Sequence, residues 1–271
     1  MVEELTYWQA TVLAFLQGAT EFIPVSSSGH LVLLRQIFGW SDDGGLVFDT
    51  VLHTGSLLAI LLYFYRDWWR MALGVFRPAR ADVFYRRLPW LLVAATLPVV
   101  LCAPFLKPFL EQASGARNAM TAGLSMIATA LWFSFCDRRA PAQDRPYGFR
   151  DAILVGLAQI VALLPGASRS GWTTGAGLAT GHQRVAAVRF AFYMAVPALL
   201  GAVVLQSADI AAGAAGVASP GVLWLGFGVS LLVSLLAIRF CLWFFRAHSF
   251  RLFSWYLLLA GVGAILLDIW R

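Results

Sequence analysis

Long stretches of this chain carry almost no charge and no amphipathic period. Uninterrupted apolar runs occupy about 49–65, 89–110, 119–136, 188–206, 221–245 and 252–270. Each approaches the ~20 residues a helix needs to cross a hydrocarbon core about 30 Å thick. Six membrane-crossing helices are predicted, some with internal proline (Pro98, Pro104, Pro197). Two further segments are apolar but interrupted. The first, about 9–38, breaks at Pro24-Val25-Ser26-Ser27-Ser28-Gly29, and the second, about 151–181, breaks at Pro165-Gly166-Ala167-Ser168-Arg169-Ser170-Gly171. Proline lacks an N–H and its ring clashes with the preceding turn, so each helix is expected to end there. Irregular backbone at membrane depth survives only where protein or a wet cavity satisfies it. Both segments are therefore predicted to be re-entrant helical hairpins.

The charges test that topology. Arg66, Arg70, Arg77, Arg80, Arg86 and Arg87 lie between the first two runs, Arg138, Arg139, Arg145 and Arg150 follow the third, and Arg246 and Arg251 separate the last two. The other loops are poor in basic residues: Asp42 and Asp43 in one, Glu111 with Arg117 in another, Asp209 in a third. With six spans and two re-entrant hairpins, every Arg-rich loop falls on one side. If both broken segments crossed fully, the Arg-rich loops would no longer share a side. The positive-inside rule then places both termini on the non-cytoplasmic side.

The halves also repeat. Gln17-Gly-Ala-Thr-Glu21-Phe-Ile-Pro24 with its serines echoes Gln159-Ile-Val-Ala-Leu-Leu-Pro165 with Ser168, Arg169 and Ser170. Each hairpin precedes three spans, an odd number, so the second half must be inverted. The expected fold is an all-α integral membrane protein with six transmembrane helices and two re-entrant hairpins. Its single membrane domain divides into repeats 1–140 and 141–271. Inverted repeats with broken helices place a site near the bilayer midplane.

Composition agrees. Of 271 residues, 60% are hydrophobic and 13% charged, against about 45–50% and 25% in soluble domains. Mean hydropathy is +0.74. A soluble globule, a disordered chain, a collagen, a disulfide scaffold and a nucleic-acid module are excluded. The net charge of +6 comes almost wholly from arginine in loops between apolar runs. Cys102, Cys136 and Cys241 stand in apolar runs at no metal-ligand spacing and read as free thiols. An acidic start (Glu3, Glu4) and the early Glu21 argue against a cleaved signal peptide.

The chemistry concentrates at the two breaks. Gln17 and Glu21 are spaced i,i+4 and share a helix face. A carboxylate in an apolar segment is expensive and is usually functional. The serines after each break precede apolar runs, a helix N-cap signal. Two half-helix N-termini are thus expected to face each other, each with free N–H groups and partial positive charge suited to an anion. Arg169 adds a fork matched to phosphate oxygens. Glu21 would repel a phosphate unless it is protonated or a cation such as Mg²⁺ or Ca²⁺, held with Gln17, lies between them. His30, one turn from Ser27, permits a Ser–His nucleophile–base pair without requiring it. A structural bond for His53 beside Asp49 and Thr54 is at least as plausible as a role in chemistry. His182 and His248 near arginines read as interfacial, and most Trp and Phe as lipid-facing or packing residues.

The segment Gln17-Gly-Ala-Thr-Glu21-Phe-Ile-Pro24-Val-Ser-Ser-Ser-Gly-His30 resembles the first signature of the undecaprenyl-diphosphate phosphatase (bacitracin-resistance) family. Leu164-Pro-Gly-Ala-Ser168-Arg169-Ser170-Gly-Trp-Thr173 resembles the second, and Phe48-Asp49 through Ser56 and Arg189-Phe190 through Pro197 match further. The resemblance implies hydrolysis of a C55 polyprenyl diphosphate with a divalent cation, recycling the carrier lipid for cell-wall synthesis in the bacterial inner membrane. It implies Ser27 as nucleophile, Glu21 as metal or acid/base residue, and His30 as base or phosphate ligand. Arg169 becomes the phosphate-binding arginine, with Ser168, Ser170 and Thr173 around it and Ser26, Ser28 and Gln17 as further substrate contacts. Where the family has Glu or Gln at its first signature position, this chain has Gln17. The rival from another class is a flippase or transporter of an anionic lipid, which would use the same midplane site. The expected partner is the polyprenyl diphosphate lipid and not nucleic acid, and a homodimer is compatible with the sequence.

Overall fold

A computed structural model describes residues 5–40, 45–115, 119–140, 145–212 and 219–270. Asp42, Asp43, Arg117 and the acidic start at Glu3 and Glu4 lie outside the described residues, as does the side chain of Glu111. Among the described residues the chain forms eleven α-helices, one short 3₁₀ turn and no strand. In order these are α1 (Tyr7–Phe22), α2 (Ser27–Phe38), α3 (Gly45–Tyr63), α4 (Tyr65–Phe76), α5 (Val83–Gly115), α6 (Ala119–Asp137), α7 (Phe149–Val161), α8 (Arg169–Ala179), α9 (Arg184–Ala211), α10 (Pro220–Phe244) and α11 (Arg251–Ile269). Helices α3, α5, α6, α9, α10 and α11 are long and apolar enough to cross a membrane. They coincide with the six runs read from the sequence.

Each interrupted segment is a helix, a break and a second helix. Proline alone does not make the break, because Pro89, Pro98, Pro104 and Pro108 all lie inside α5 and Pro197 inside α9. The residues after the proline decide. Ser26 adopts φ +74° and caps α2 by accepting the Gly29 N–H at 3.2 Å. Gly166 adopts φ +81°, and Ser168 caps α8 by accepting the Gly171 N–H at 3.2 Å. Left-handed backbone followed by a serine cap ends one helix and starts another.

Helix α4 has no counterpart among the apolar runs, because it is too short and too polar for a span and lies within the Arg-rich segment between the first two. Its signal was the spacing of Asp67, Met71 and Gly74, which are the buried positions on one face. A Cβ on Gly74 would come 2.5 Å from the Tyr85 carbonyl oxygen, so α4 lies directly on the start of α5. Asp67 accepts hydrogen bonds there from Tyr85 (2.7 Å), Tyr193 (2.7 Å) and Arg189 (3.1 Å).

The helices pack α6 on α11, α1 on α10, α7 on α5, and α3 on both α9 and α10. Small residues allow close backbone approach, as expected for helices that gain no hydrophobic drive from lipid. The backbones of Gly123 and Gly261 meet across α6 and α11, and a Cβ on Gly156 of α7 would fall 2.2 Å from the Ala95 carbonyl oxygen of α5. Large apolar side chains such as Phe105, Trp224, Leu259 and Trp270 point outward. Cys136 and Cys241 are buried free thiols and Cys102 is partly buried.

Candidate active site

The two breaks meet inside the bundle. The Gly166 N–H donates to Ser28 Oγ at 3.4 Å. Gly166 has no room for a side chain, since a Cβ would sit 2.5–2.6 Å from the Ala122 backbone of α6. Gly166→Ala therefore combines a left-handed φ with a backbone clash. It should lower stability by about 2–4 kcal/mol, read as a fall in Tm of the detergent-solubilised protein.

Around this contact the sequence-distant charged residues converge. Arg169, at the first turn of α8, donates to Glu21 Oε1 at 2.6 Å. Glu21, on the last turn of α1, accepts at Oε2 from Ser27 Oγ (2.7 Å) and from Gln17 Nε2 (3.0 Å). The i,i+4 spacing of Gln17 and Glu21 thus produces a direct bond. Gln17 is fully buried behind the carboxylate, and its Oε1 has no partner. The Arg169 and Glu21 side chains are only 15% and 6% exposed. Removing one partner from such a pair leaves a buried charge uncompensated.

A cavity of about 440 Å³ opens above this cluster. Ser26, Ser27, Ser28 and Glu21 line one side, and Ser168, Arg169 and Ser170 the other. Thr20, His53, Thr96 and Gln159 also line it, and an apolar stretch of wall is formed by Val99, Val100 and Ala103 of α5 and Ala198, Ala202 and Leu205 of α9. Charged groups converge at one end and an apolar trough leads away from them. That shape fits an amphiphile with an anionic head.

Thr173 stands beside this set but turns its hydroxyl into its own helix, donating to the Arg169 carbonyl at 2.8 Å. Thr129 of α6 holds the α8 tip by accepting from the Ser168 N–H (3.4 Å) and Trp172 Nε1 (3.2 Å).

The geometry does not form the Ser27–His30 pair that the spacing permits. His30 Nδ1 lies 2.7 Å from the Ser26 carbonyl oxygen and Nε2 lies 2.5 Å from the Tyr256 hydroxyl, with the two rings stacked. Both ring nitrogens are occupied, and the acidic group facing the Ser27 hydroxyl is Glu21. The i,i+3 spacing sets Ser27 and His30 on neighbouring positions of α2, but the Ser27 hydroxyl turns to Glu21 and the His30 ring to the Ser26 carbonyl and Tyr256.

Two residues that the sequence pattern does not assign to the site also join the cavity. His53 lines it with an unpartnered Nδ1, and Asp49, its supposed neighbour, instead pairs with Arg35 at 2.6 Å. Gln159 lines it too, buried, with neither amide atom partnered. The repeat of Gln17 by Gln159 was the available signal. His182, read as interfacial, is fully buried, stacked on Tyr147 at 3.5 Å with Nδ1 3.1 Å from the Arg145 carbonyl oxygen.

An all-helical chain with six span-length apolar helices and a charged pocket inside them is a multi-pass membrane protein. The family model described as bacitracin resistance protein BacA matches residues 10–263. Proteins carrying the name undecaprenyl-diphosphatase align along nearly the whole chain. One from Pelotomaculum thermopropionicum is 37% identical over 97% of both chains. One from Desulforudis audaxviator is 38% identical over 97% of this chain and 98% of its own, and one from Idiomarina loihiensis is 37% identical over 97% and 99%. The chain belongs to the bacitracin resistance protein BacA family.

Proposed function

We propose that this protein is a phosphatase that hydrolyses undecaprenyl diphosphate to the monophosphate and inorganic phosphate, recycling the carrier lipid for cell-wall synthesis in the bacterial inner membrane. One observation carries the reading: Glu21, Ser27 and Arg169, drawn from two breaks far apart in sequence, are hydrogen-bonded together at the head of an apolar trough. The relatives' shared name describes the same chemistry, and a hydrolase name does not favour the flippase alternative. Purified protein in detergent has no second compartment, so release of phosphate from a polyprenyl diphosphate tests the reading directly. Inert protein across Mg²⁺ and Ca²⁺ concentrations would favour transport.

In this reading the terminal phosphate exchanges Glu21 for itself as the partner of the Arg169 fork. Ser27 already points its O–H at Glu21. Its proton passes to the carboxylate as Oγ bonds to the terminal phosphorus. The bond from phosphorus to the bridging oxygen breaks, Glu21 passes the proton to that oxygen, and the lipid leaves as its monophosphate. Water then attacks the phosphoserine, giving a proton to the freed Glu21 carboxylate, the phosphorus–Oγ bond breaks, and Glu21 returns the proton to Oγ, so that Ser27 and inorganic phosphate are released. Arg169 and the N–H groups at the starts of α2 and α8 face the charge that develops on the equatorial oxygens. Ser27→Ala removes the nucleophile and should lower turnover by about 10⁴-fold or more, with no large change in Tm. Unchanged turnover would move the attack to water, with Glu21 as its base.

A divalent cation fits this set only when shared with substrate. Among the described residues no three His, Cys, Asp or Glu side chains cluster for a metal. Glu21 offers one carboxylate and Gln17 one unpartnered amide oxygen. Hard-oxygen donors of this number hold Mg²⁺ or Ca²⁺ when phosphate oxygens complete the shell. The ion would neutralise phosphate charge beside Glu21.

Segments α1–α2 and α7–α8 are re-entrant in this account, and 1–140 and 141–271 are inverted repeats. Helix ends support it. The close approach of Gly221 to Tyr7 sets the start of α1 beside the start of α10, and Arg35–Asp49 ties the end of α2 to the start of α3. Arg145 binds both Asp151 at the start of α7 and the Thr180 carbonyl after α8, so that hairpin begins and ends together. Packing of α1 on α10 mirrors that of α7 on α5, while α3–α9 and α6–α11 pair each helix with its counterpart. The Arg-rich end becomes cytoplasmic by the positive-inside rule, with both termini opposite. The trough runs toward the Arg-poor end of α5 and α9.

A further inference from the structure

A second cavity, of about 680 Å³, lies between the starts of α5 and α9 and is closed on one side by residues 145–147. It shares no lining residue with the catalytic cavity. On α5 the two are separated by the span from Leu91 to Thr96, and on α9 by that from Tyr193 to Pro197. Each gap is about one helical turn, or roughly 6–8 Å of rise. Buried Leu92, Ala95, Met194 and Ala195 fill it.

This cavity has two chemically distinct parts. Its rim carries three guanidiniums, Arg87, Arg145 and Arg189. Arg189 reaches Asp67 and Arg145 reaches Asp151, yet their side chains remain 45% and 48% exposed. Arg87 is exposed and has no side-chain partner among the described residues. Below the rim, Leu88 and Leu91 of α5 and Phe190 of α9, all buried, close the floor. Two carboxylates offset two of the three cations, so one positive charge is left over at the mouth of an apolar slot. The slot sits where span helices begin, at the depth of lipid headgroups. Basic pockets between transmembrane helices at that depth suit anionic lipid headgroups.

We propose that this cavity is a second, non-catalytic lipid site that binds the phosphate of an anionic lipid headgroup against Arg87, with the lipid chain left in the surrounding bilayer. The site stands apart from the hydrolysis reading and does not depend on it. Phosphodiester and phosphomonoester lipids with no headgroup cation share the recognised feature, an uncompensated phosphate charge, so the ligand is either an anionic phospholipid of the surrounding leaflet or a polyprenyl monophosphate.

Native mass spectrometry of the detergent-purified protein tests this with phosphatidylglycerol, polyprenyl monophosphate and, as zwitterionic control, phosphatidylcholine. Arg87→Gln should weaken at least one of the two anionic lipids about fivefold, the effect of roughly one basic residue at a membrane surface. The affected lipid identifies the source. Phosphatidylcholine should be unchanged, and so should phosphate release in detergent. Arg77→Gln removes an exposed arginine of the same Arg-rich segment that does not line the cavity, and it should leave all three affinities as they are. Wild-type affinity for both anionic lipids in Arg87→Gln overturns the proposal. So does an equal loss in Arg77→Gln, which would mean diffuse charge only. A fall in phosphate release in folded Arg87→Gln would also overturn it, by assigning the cavity to catalysis.

Discussion

Arg169→Ala should abolish phosphate release, with a loss of about 10³-fold or more. That is the scale seen when a guanidinium facing the charge of a transferring phosphoryl group is removed. Arg169 reaches Glu21 at 2.6 Å and is largely shielded from solvent, so its charge acts at low dielectric where it counts most. Loss of the arginine also strands the Glu21 carboxylate, at a cost of about 3–5 kcal/mol, so Tm and monodispersity must be measured beside activity. Arg169→Lys separates the two effects. It keeps the charge and the fold but loses the planar fork, and it should still fall well below wild type because an ammonium cannot hold two oxygens in parallel. Near-normal turnover in folded Arg169→Ala would remove this residue from the mechanism.

Glu21→Gln should lower turnover about 10²–10⁴-fold while changing shape little. It has a second, opposite consequence. In the free protein Glu21 occupies the Arg169 fork, and any phosphate must displace it against its negative charge. Neutralising Glu21 releases the fork. With chelator present, inorganic phosphate should therefore bind Glu21→Gln more tightly than wild type, although catalysis is nearly lost. In Arg169→Ala both binding and turnover should fall. A structural ion pair would not produce that split. Equal weakening of phosphate binding in both variants would mean that Glu21 contributes to binding and does not compete with the ligand.

Much of this arrangement could be read from the chain. Apolar length marked all six spans, because a hydrocarbon core demands ~20 residues whatever the neighbours. The breaks were also legible, though proline was only part of the reason. Four prolines sit inside α5 without ending it. What distinguishes Pro24 and Pro165 is the left-handed residue and the serine cap that follow. Glu21 stands out by its burial cost in an apolar setting and Arg169 by a fork matched to phosphate oxygens. Their 2.6 Å contact came from tertiary packing across 148 positions, for which no local pattern exists.

The misses have equally specific causes. Helix α4 was hidden because its buried face is short and centred on an acid, Asp67, whose partners Arg189 and Tyr193 lie on α9. His30 was placed near Ser27 by sequence distance, but its partner Tyr256 is 226 residues away. His182 looked interfacial from its neighbours and proved buried because Tyr147 stacks on it from another segment. In each case the deciding contact was long-range.

Where a diphosphate headgroup sits can be read from a structure of the protein with a methylene-bridged polyprenyl diphosphate analogue, which cannot be cleaved. The account predicts the terminal phosphonate within hydrogen-bond distance of Arg169 and Ser27, with the prenyl chain between α5 and α9 along Val100 and Ala202. A headgroup found elsewhere, with Glu21 and Arg169 still paired and untouched, would contradict it.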